Sequence, residues 1–211
     1  MTRIISIIDI KKLAAEIYAD RTNAVLVANF EKHQQEIDAV DYNESQEIYD
    51  IYSGLIANYG IALAQIDQFK KAIPVLNKAI QLFENNKEYS FHDLLESNLY
   101  VNSYFNLGYS YCRRNKYKLA KPYFEFLIKH FPENLHYANW LNRINSDNLI
   151  RLRDILMYCL TGSLLIETFY GKEYPILKYL GIGLWIPSLI ISIILGIILY
   201  NKEGERYREQ D

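Results

Sequence analysis

The sequence is poor in most of what an enzyme or an exported scaffold is built from. It has two cysteines, Cys112 and Cys159, far apart and in different regions. That excludes a disulfide framework, gives no zinc-ligand spacing and fits a reducing compartment. Five prolines and nine glycines in 211 residues argue for a helix-rich globular chain and against disorder. Neither sign of charge dominates: 23 basic residues stand against 25 acidic ones, a net charge of −2. That balance argues against a nucleic-acid binder, which would need a basic face. The N-terminal patch MTRIISIIDIKK is too short for the apolar core of a secretory signal. There is no Gly-rich phosphate loop and no nucleophile elbow. His33, His92, His130 and His136 are scattered without metal-site spacing; His33 and Glu36, three apart, read as a solvated pair on a helix surface. No metal, cofactor or catalytic residue is expected.

What is present is a long apolar end. From Tyr179 to Tyr200 the chain runs 22 residues without a charge. As a helix that is about 33 Å, against a hydrocarbon core of about 30 Å. A second run, Ile155–Gly171, has 17 residues and one charge, Glu167, near its end; as a helix it reaches about 26 Å. The link Lys172-Glu173-Tyr174-Pro175 suits a tight turn. Two arrangements are open: a two-helix membrane hairpin over 151–201, or a single span with residues 155–171 packed on the preceding domain. Arg143, Arg151 and Arg153 precede the first run and Lys202, Arg206 and Arg208 follow the second, whereas only Lys172 and Lys178 lie between. That asymmetry favours the hairpin, with both termini in the cytoplasm and a polar tail over 202–211. Ser188, Ser192 and Gly196 recur every four residues, a small-residue face that pairs the two spans or joins two copies of the chain.

Residues 1–150 read as one all-α domain. No alternating strand pattern occurs. Helical spacing predicts elements over 5–20, 22–39, Ser45–Ile66, Phe69–Phe83, Ser90 to Arg113, Lys116–Phe131 and Leu135–Ile144. Ser90 with Asp93 three residues on forms a capping-box pattern.

Within this domain a segment is used twice. Phe69, Ala72, Pro74 and Leu76 line up with Tyr117, Ala120, Pro122 and Phe124; Gly60 and Gly108 each lie twelve residues before the Ala. The physical reading is a helical hairpin with a small residue on each helix at the crossing and large ones beside it. This pattern resembles the tetratricopeptide repeat. In the second copy Tyr104, Leu107, Gly108 and Tyr111, then Tyr117, Ala120, Phe124 and Pro132, stand at family positions. In the first, Gly60, Phe69, Ala72, Leu76 and Ala79 do so. The copies, over 51–84 and 101–134, are 48 residues apart, more than the family period of about 34, and 135–147 would be a capping helix.

The resemblance implies an array whose first helices line a concave groove. Its lining would be Ala57, Asn58, Ile61, Ala64 and Gln65 in the first copy and Asn102, Phe105, Asn106, Tyr109, Cys112 and Arg113 in the second, with Arg143 as the other candidate cation. Those positions are mostly apolar and aromatic, which suits a peptide with apolar anchors; equally, the N-terminal helices would fill the groove. The expected function is a membrane-anchored, non-catalytic adaptor that binds a protein or peptide at the cytoplasmic membrane surface. The alternative is an accessory or immunity-type factor whose C-terminal hairpin itself contacts a membrane protein. Ile-, Asn- and Lys-rich usage points to an AT-rich bacterium, where the membrane would be the inner one, and an organellar tail-anchored adaptor would look similar.

Overall fold

The computed structural model describes residues 7–20, 22–170 and 189–198. All regular structure among them is helical: α1 Ile7–Ile17, α2 Asn23–Lys32, α3 Gln34–Asp38, α4 Gln46–Gln65, α5 Phe69–Asn85, α6 Phe91–Glu96, α7 Asn98–Arg113, α8 Tyr117–His130 and α9 Leu135–Tyr170, then residues 189–198. The chain divides into two compact units, Met1–Leu141 and Asn142–Asp211.

In the first unit α4 pairs with α5 and α7 with α8, and α1 and α2 pack on α4. Each hairpin closes on a glycine. A Cβ on Gly60 would lie 2.9 Å from Leu76 Cδ2, and one on Gly108 would lie 2.9 Å from Phe124 Cε2. Both partners are fully buried, as are Ala72, Ala79, Leu107 and Ala120. Tyr104, Tyr111, Phe69 and Tyr117 are half-buried and Pro132 is exposed. Pro74 and Pro122 sit inside their helices, so neither can donate to the carbonyl four residues back.

The two turns are also duplicates. Asp67 and Asn115, again 48 residues apart, have φ of 63° and 56°. The Gln68 amide donates to the Leu63 carbonyl at 2.8 Å and the Lys116 amide to the Tyr111 carbonyl at 2.9 Å. With the Asp67 and Asn115 amides donating to the carbonyls of Ala64 and Cys112, these are Schellman stops made without glycine. Asp67→Gly is expected to raise stability by up to about 1 kcal/mol, because glycine enters the left-handed region without the Cβ penalty. A chemical-denaturation midpoint unchanged or lowered would refute this.

Serines set the helix starts. Ser45, Ser90 and Ser97 accept the amides of Ile48, Asp93 and Tyr100, and Ser90 with Asp93 forms the expected capping box. Ser97 corrects the reading of one helix from Ser90 to Arg113. Its extended backbone caps α7 and separates it from α6. The expected single helix over 22–39 is likewise broken at His33, whose ψ of 13° leaves the helical region. The His33 imidazole lies 3.0 Å from Glu36 and 3.6 Å from Glu16 and is only 13% exposed, so it joins α1 to α3 rather than facing solvent with Glu36 alone.

Carboxylate–phenol contacts join successive hairpins. Tyr59, stacked on Phe30 at 3.9 Å, donates to Glu31 at 3.2 Å, and Lys71 reaches the same oxygen at 2.9 Å. Tyr100 and Tyr104 both donate to Oε1 of Glu84, at 2.9 and 2.8 Å. Burial pushes Tyr59 and Tyr104 up to about 12, with the glutamates adding to it, and raises Tyr100 too. A phenol whose folded value lies above its unfolded value of about 10 contributes stability that is complete below that pH and lost above it. Stability is therefore expected to fall between pH about 10 and 12, and Tyr104→Phe should flatten part of that fall. Parallel pH profiles of the two proteins' denaturation midpoints would contradict it.

The second unit begins within α9. The expected capping helix over 135–147 does not stop there: α9 runs on to Tyr170. No Pro or Gly interrupts 145–154, and polar side chains alone do not end a helix. Residues 155–170 thus form the last part of α9. Ser192 donates to the Met157 sulfur at 3.5 Å, and Leu195 is buried. A Cβ added at Gly162 or Gly196 would meet nothing within 4 Å. Among the described residues no helix is long and apolar enough to cross a membrane. Of the run expected to span, Tyr179–Tyr200, only 189–198 are described; Ser188 and the tail over 202–211 lie outside the described residues.

Candidate functional site

The candidate face belongs to α7 and the start of α9. Helical spacing puts Asn102, Phe105, Tyr109 and Arg113 along one side of α7. Asn102 and Arg113 are exposed; Phe105 and Tyr109 are half-buried. The residues after Pro132 complete the face. The Phe105 ring lies 5.0 Å from His136 and 5.8 Å from Tyr137, and Tyr109 meets Trp140 edge-on at 5.2 Å. Burial raises the Tyr137 phenol. Trp140 also stacks on the buried Phe124, which ties the face to the hairpin seam.

Arg113 closes one end. Its guanidinium stands over Phe69 at 5.5 Å and Tyr109 at 5.9 Å, and 3.9 Å from Asp67. The charge therefore sits on aromatic faces with a weak ionic partner, a geometry that holds the planar fork in place while leaving it half-exposed.

The other expected groove residues are placed differently. Asn106 is buried and donates to the Asn102 carbonyl at 2.8 Å. Asn58 makes the same back-bond to Gly54 at 2.9 Å and a second bond to the Tyr18 hydroxyl at 3.0 Å. The exposed Gln65 accepts from Asn23 at 2.6 Å, and Ile61 is half-buried against the core. In the first copy, then, the polar positions are engaged by residues of the N-terminal elements. Arg143 is exposed and belongs to the second unit.

His136, Tyr137 and Trp140 were not among the expected residues. The signal for them was a histidine and two aromatics within five positions, just after the closing proline of the second copy. The assembled face offers ring surfaces, an amide and a guanidinium, groups that bind apolar and aromatic side chains. Among the described residues no three metal-ligating side chains come together. No family model matches the sequence, and no curated protein or solved structure matches it.

Proposed function

We propose that this chain is a membrane-anchored, non-catalytic adaptor of tetratricopeptide type, whose N-terminal unit binds a protein or peptide partner through the α7–α9 face. The observation that carries the reading is the duplicated hairpin with that half-open aromatic face on its second copy. Glycine seam, proline and Schellman stop all recur 48 residues apart, as a stacked repeat requires. The anchor is supported by residues 189–198: every one except Ser192, Leu195 and Gly196 is an exposed Leu or Ile. A helix apolar on nearly all sides is suited to lipid. The N-terminal unit then faces the cytoplasm of a bacterial cell, and the Ser192 contact to Met157 supports pairing of the two apolar runs within one chain.

Tethering holds the partner at high local concentration, so a shallow face suffices. Two experiments test the reading. In a chain carrying Cys112→Ala and Cys159→Ser, an impermeant thiol reagent should label Glu173→Cys and not Glu209→Cys in intact cells. Labelling of 209 alone would leave a single span and an outward tail. In membranes, Phe105→Ala and Tyr109→Ala should abolish cross-linking to the partner, whereas Gln65→Ala should preserve it. Cross-linking that survives both aromatic changes and is lost with the C-terminal segment would favour a contact made by the hairpin.

A further inference from the structure

The two repeat turns share a backbone and differ in charge. Around the α7–α8 turn the run from Arg113 to Lys121 holds five basic residues and no acidic one. The rest of the first unit, Met1–Leu141, has ten basic residues against seventeen acidic ones. One corner of an otherwise acidic unit is thus cationic. The first turn, closed by the same backbone bonds, has Gln65, Ile66, Gln68 and Ile73 where the second has Arg113, Arg114, Lys116 and Lys121. The turn geometry therefore does not require cations. Nor does the helix: lysines at the start of α8 stand at its positive end, and no acidic residue lies in its first turn.

Local acids answer only the two ends of the run. Arg113 faces Asp67 at 3.9 Å and Lys121 faces Glu125 at 3.6 Å. Arg114, Lys116 and Lys118 are exposed, and no carboxylate among the described residues pairs with them. Leu119 stands beside them, 50% exposed.

The chain leaves the first unit toward this corner. α9 starts alongside α7 and runs in the same direction: Phe105 meets His136 and Tyr137, and Tyr109, one turn on, meets Trp140. One turn further along α7 is Arg113. The unit ends at Leu141, and the first apolar run begins fourteen residues later, at Ile155.

We infer that the α7–α8 corner rests on the bilayer that holds the apolar runs, with Arg114, Lys116 and Lys118 on the phosphates of anionic lipid headgroups and Leu119 at their edge. The inference rests on the reading of the chain as membrane-anchored. Each cation strengthens contact with an anionic surface by only about five-fold, but the anchor already supplies nearness, so three suffice. The attraction reaches about 10 Å at 0.1 M salt. Anchor and corner together hold the unit at two points instead of one.

The test uses the full chain in lipid nanodiscs, with methyl-labelled leucine and a trace of headgroup-spin-labelled lipid. Leu119 reports the corner, and Leu135, 46% exposed beyond the other end of α8, is the reference. In discs of phosphatidylcholine with phosphatidylglycerol, relaxation enhancement at Leu119 should exceed that at Leu135 by about three-fold or more. The excess should vanish in phosphatidylcholine alone, at high salt, and in the chain carrying Arg114→Gln, Lys116→Gln and Lys118→Gln. Lys116→Arg with Lys118→Arg should keep it, and Phe105→Ala should leave it unchanged. An acyl-chain-labelled lipid should broaden Leu189 and Leu195 in every disc. Broadening there without an excess at Leu119 would overturn the inference alone; no broadening there would remove the anchor and the inference together. An excess that survives the three glutamines or the neutral lipid would overturn the headgroup contact. An oligonucleotide that shifts Leu119 only in the original chain, with no lipid effect, would assign the corner to nucleic acid instead.

Discussion

Phe124→Ala is expected to lower stability by about 3–5 kcal/mol, the range for deleting a buried ring. The ring is fully buried. It presses on Gly108 on one side and lies between Phe105 and Trp140, at 5.9 Å from each. The hole left by alanine would be walled by two helices already in close approach, so little collapse can refill it. The loss should also loosen Trp140 and therefore the face that Trp140 completes. Denaturant unfolding of the full chain in micelles, followed by helicity, gives the number. A change under about 1 kcal/mol would mean that the ring is not part of the core.

Gly108→Leu should be at least as damaging in kind, with a loss of about 3 kcal/mol or more. The first added carbon alone would sit 2.9 Å from Phe124 Cε2 and 3.1 Å from Tyr123 Cβ. The second contact is with an atom fixed to the backbone of α8, so the hairpin must open to admit the side chain. The helix-propensity gain of replacing glycine, about 1 kcal/mol, works in the opposite direction and is too small. Gly60→Leu meets the same obstacle at Leu76 Cγ and Cδ2, both 2.9 Å away. An unfolding midpoint like that of the original chain in either variant would show that the two helices are not in close contact there.

The hairpins were legible in the sequence because the residues that mark them act locally. Gly60, Gly108, Ala72 and Ala120 are small where two helices cross, and their spacing survives without any knowledge of the fold. The capping box at Ser90 is of the same kind. The breaks at His33 and Ser97 were hidden, since neither carries the proline or glycine that stops a helix outright. His33 is held by Glu16 from another element, a contact that helical periodicity does not encode. The continuity of α9 was hidden for the converse reason: a polar stretch looks like a boundary and is only a change of surroundings.

The site was half legible. Phe105, Tyr109 and Arg113 follow from helix geometry once α7 is known. What the rest of the groove does depends on contacts 40 and 42 residues apart in sequence, Asn58 with Tyr18 and Gln65 with Asn23. Side chains that look available on one helix are engaged by another, and only the packing reveals it.

None of the glycines among the described residues has a positive φ; the left-handed turns belong to Asp67 and Asn115. The usual division of labour is thereby inverted. Residues without a side chain serve the interior of the hairpins, and residues with one serve the corners. A map of tolerated substitutions would show it directly. The corners would accept replacement, glycine above all, while the least variable positions would be two points in mid-helix, Gly60 and Gly108, where any added atom collides with the neighbouring helix.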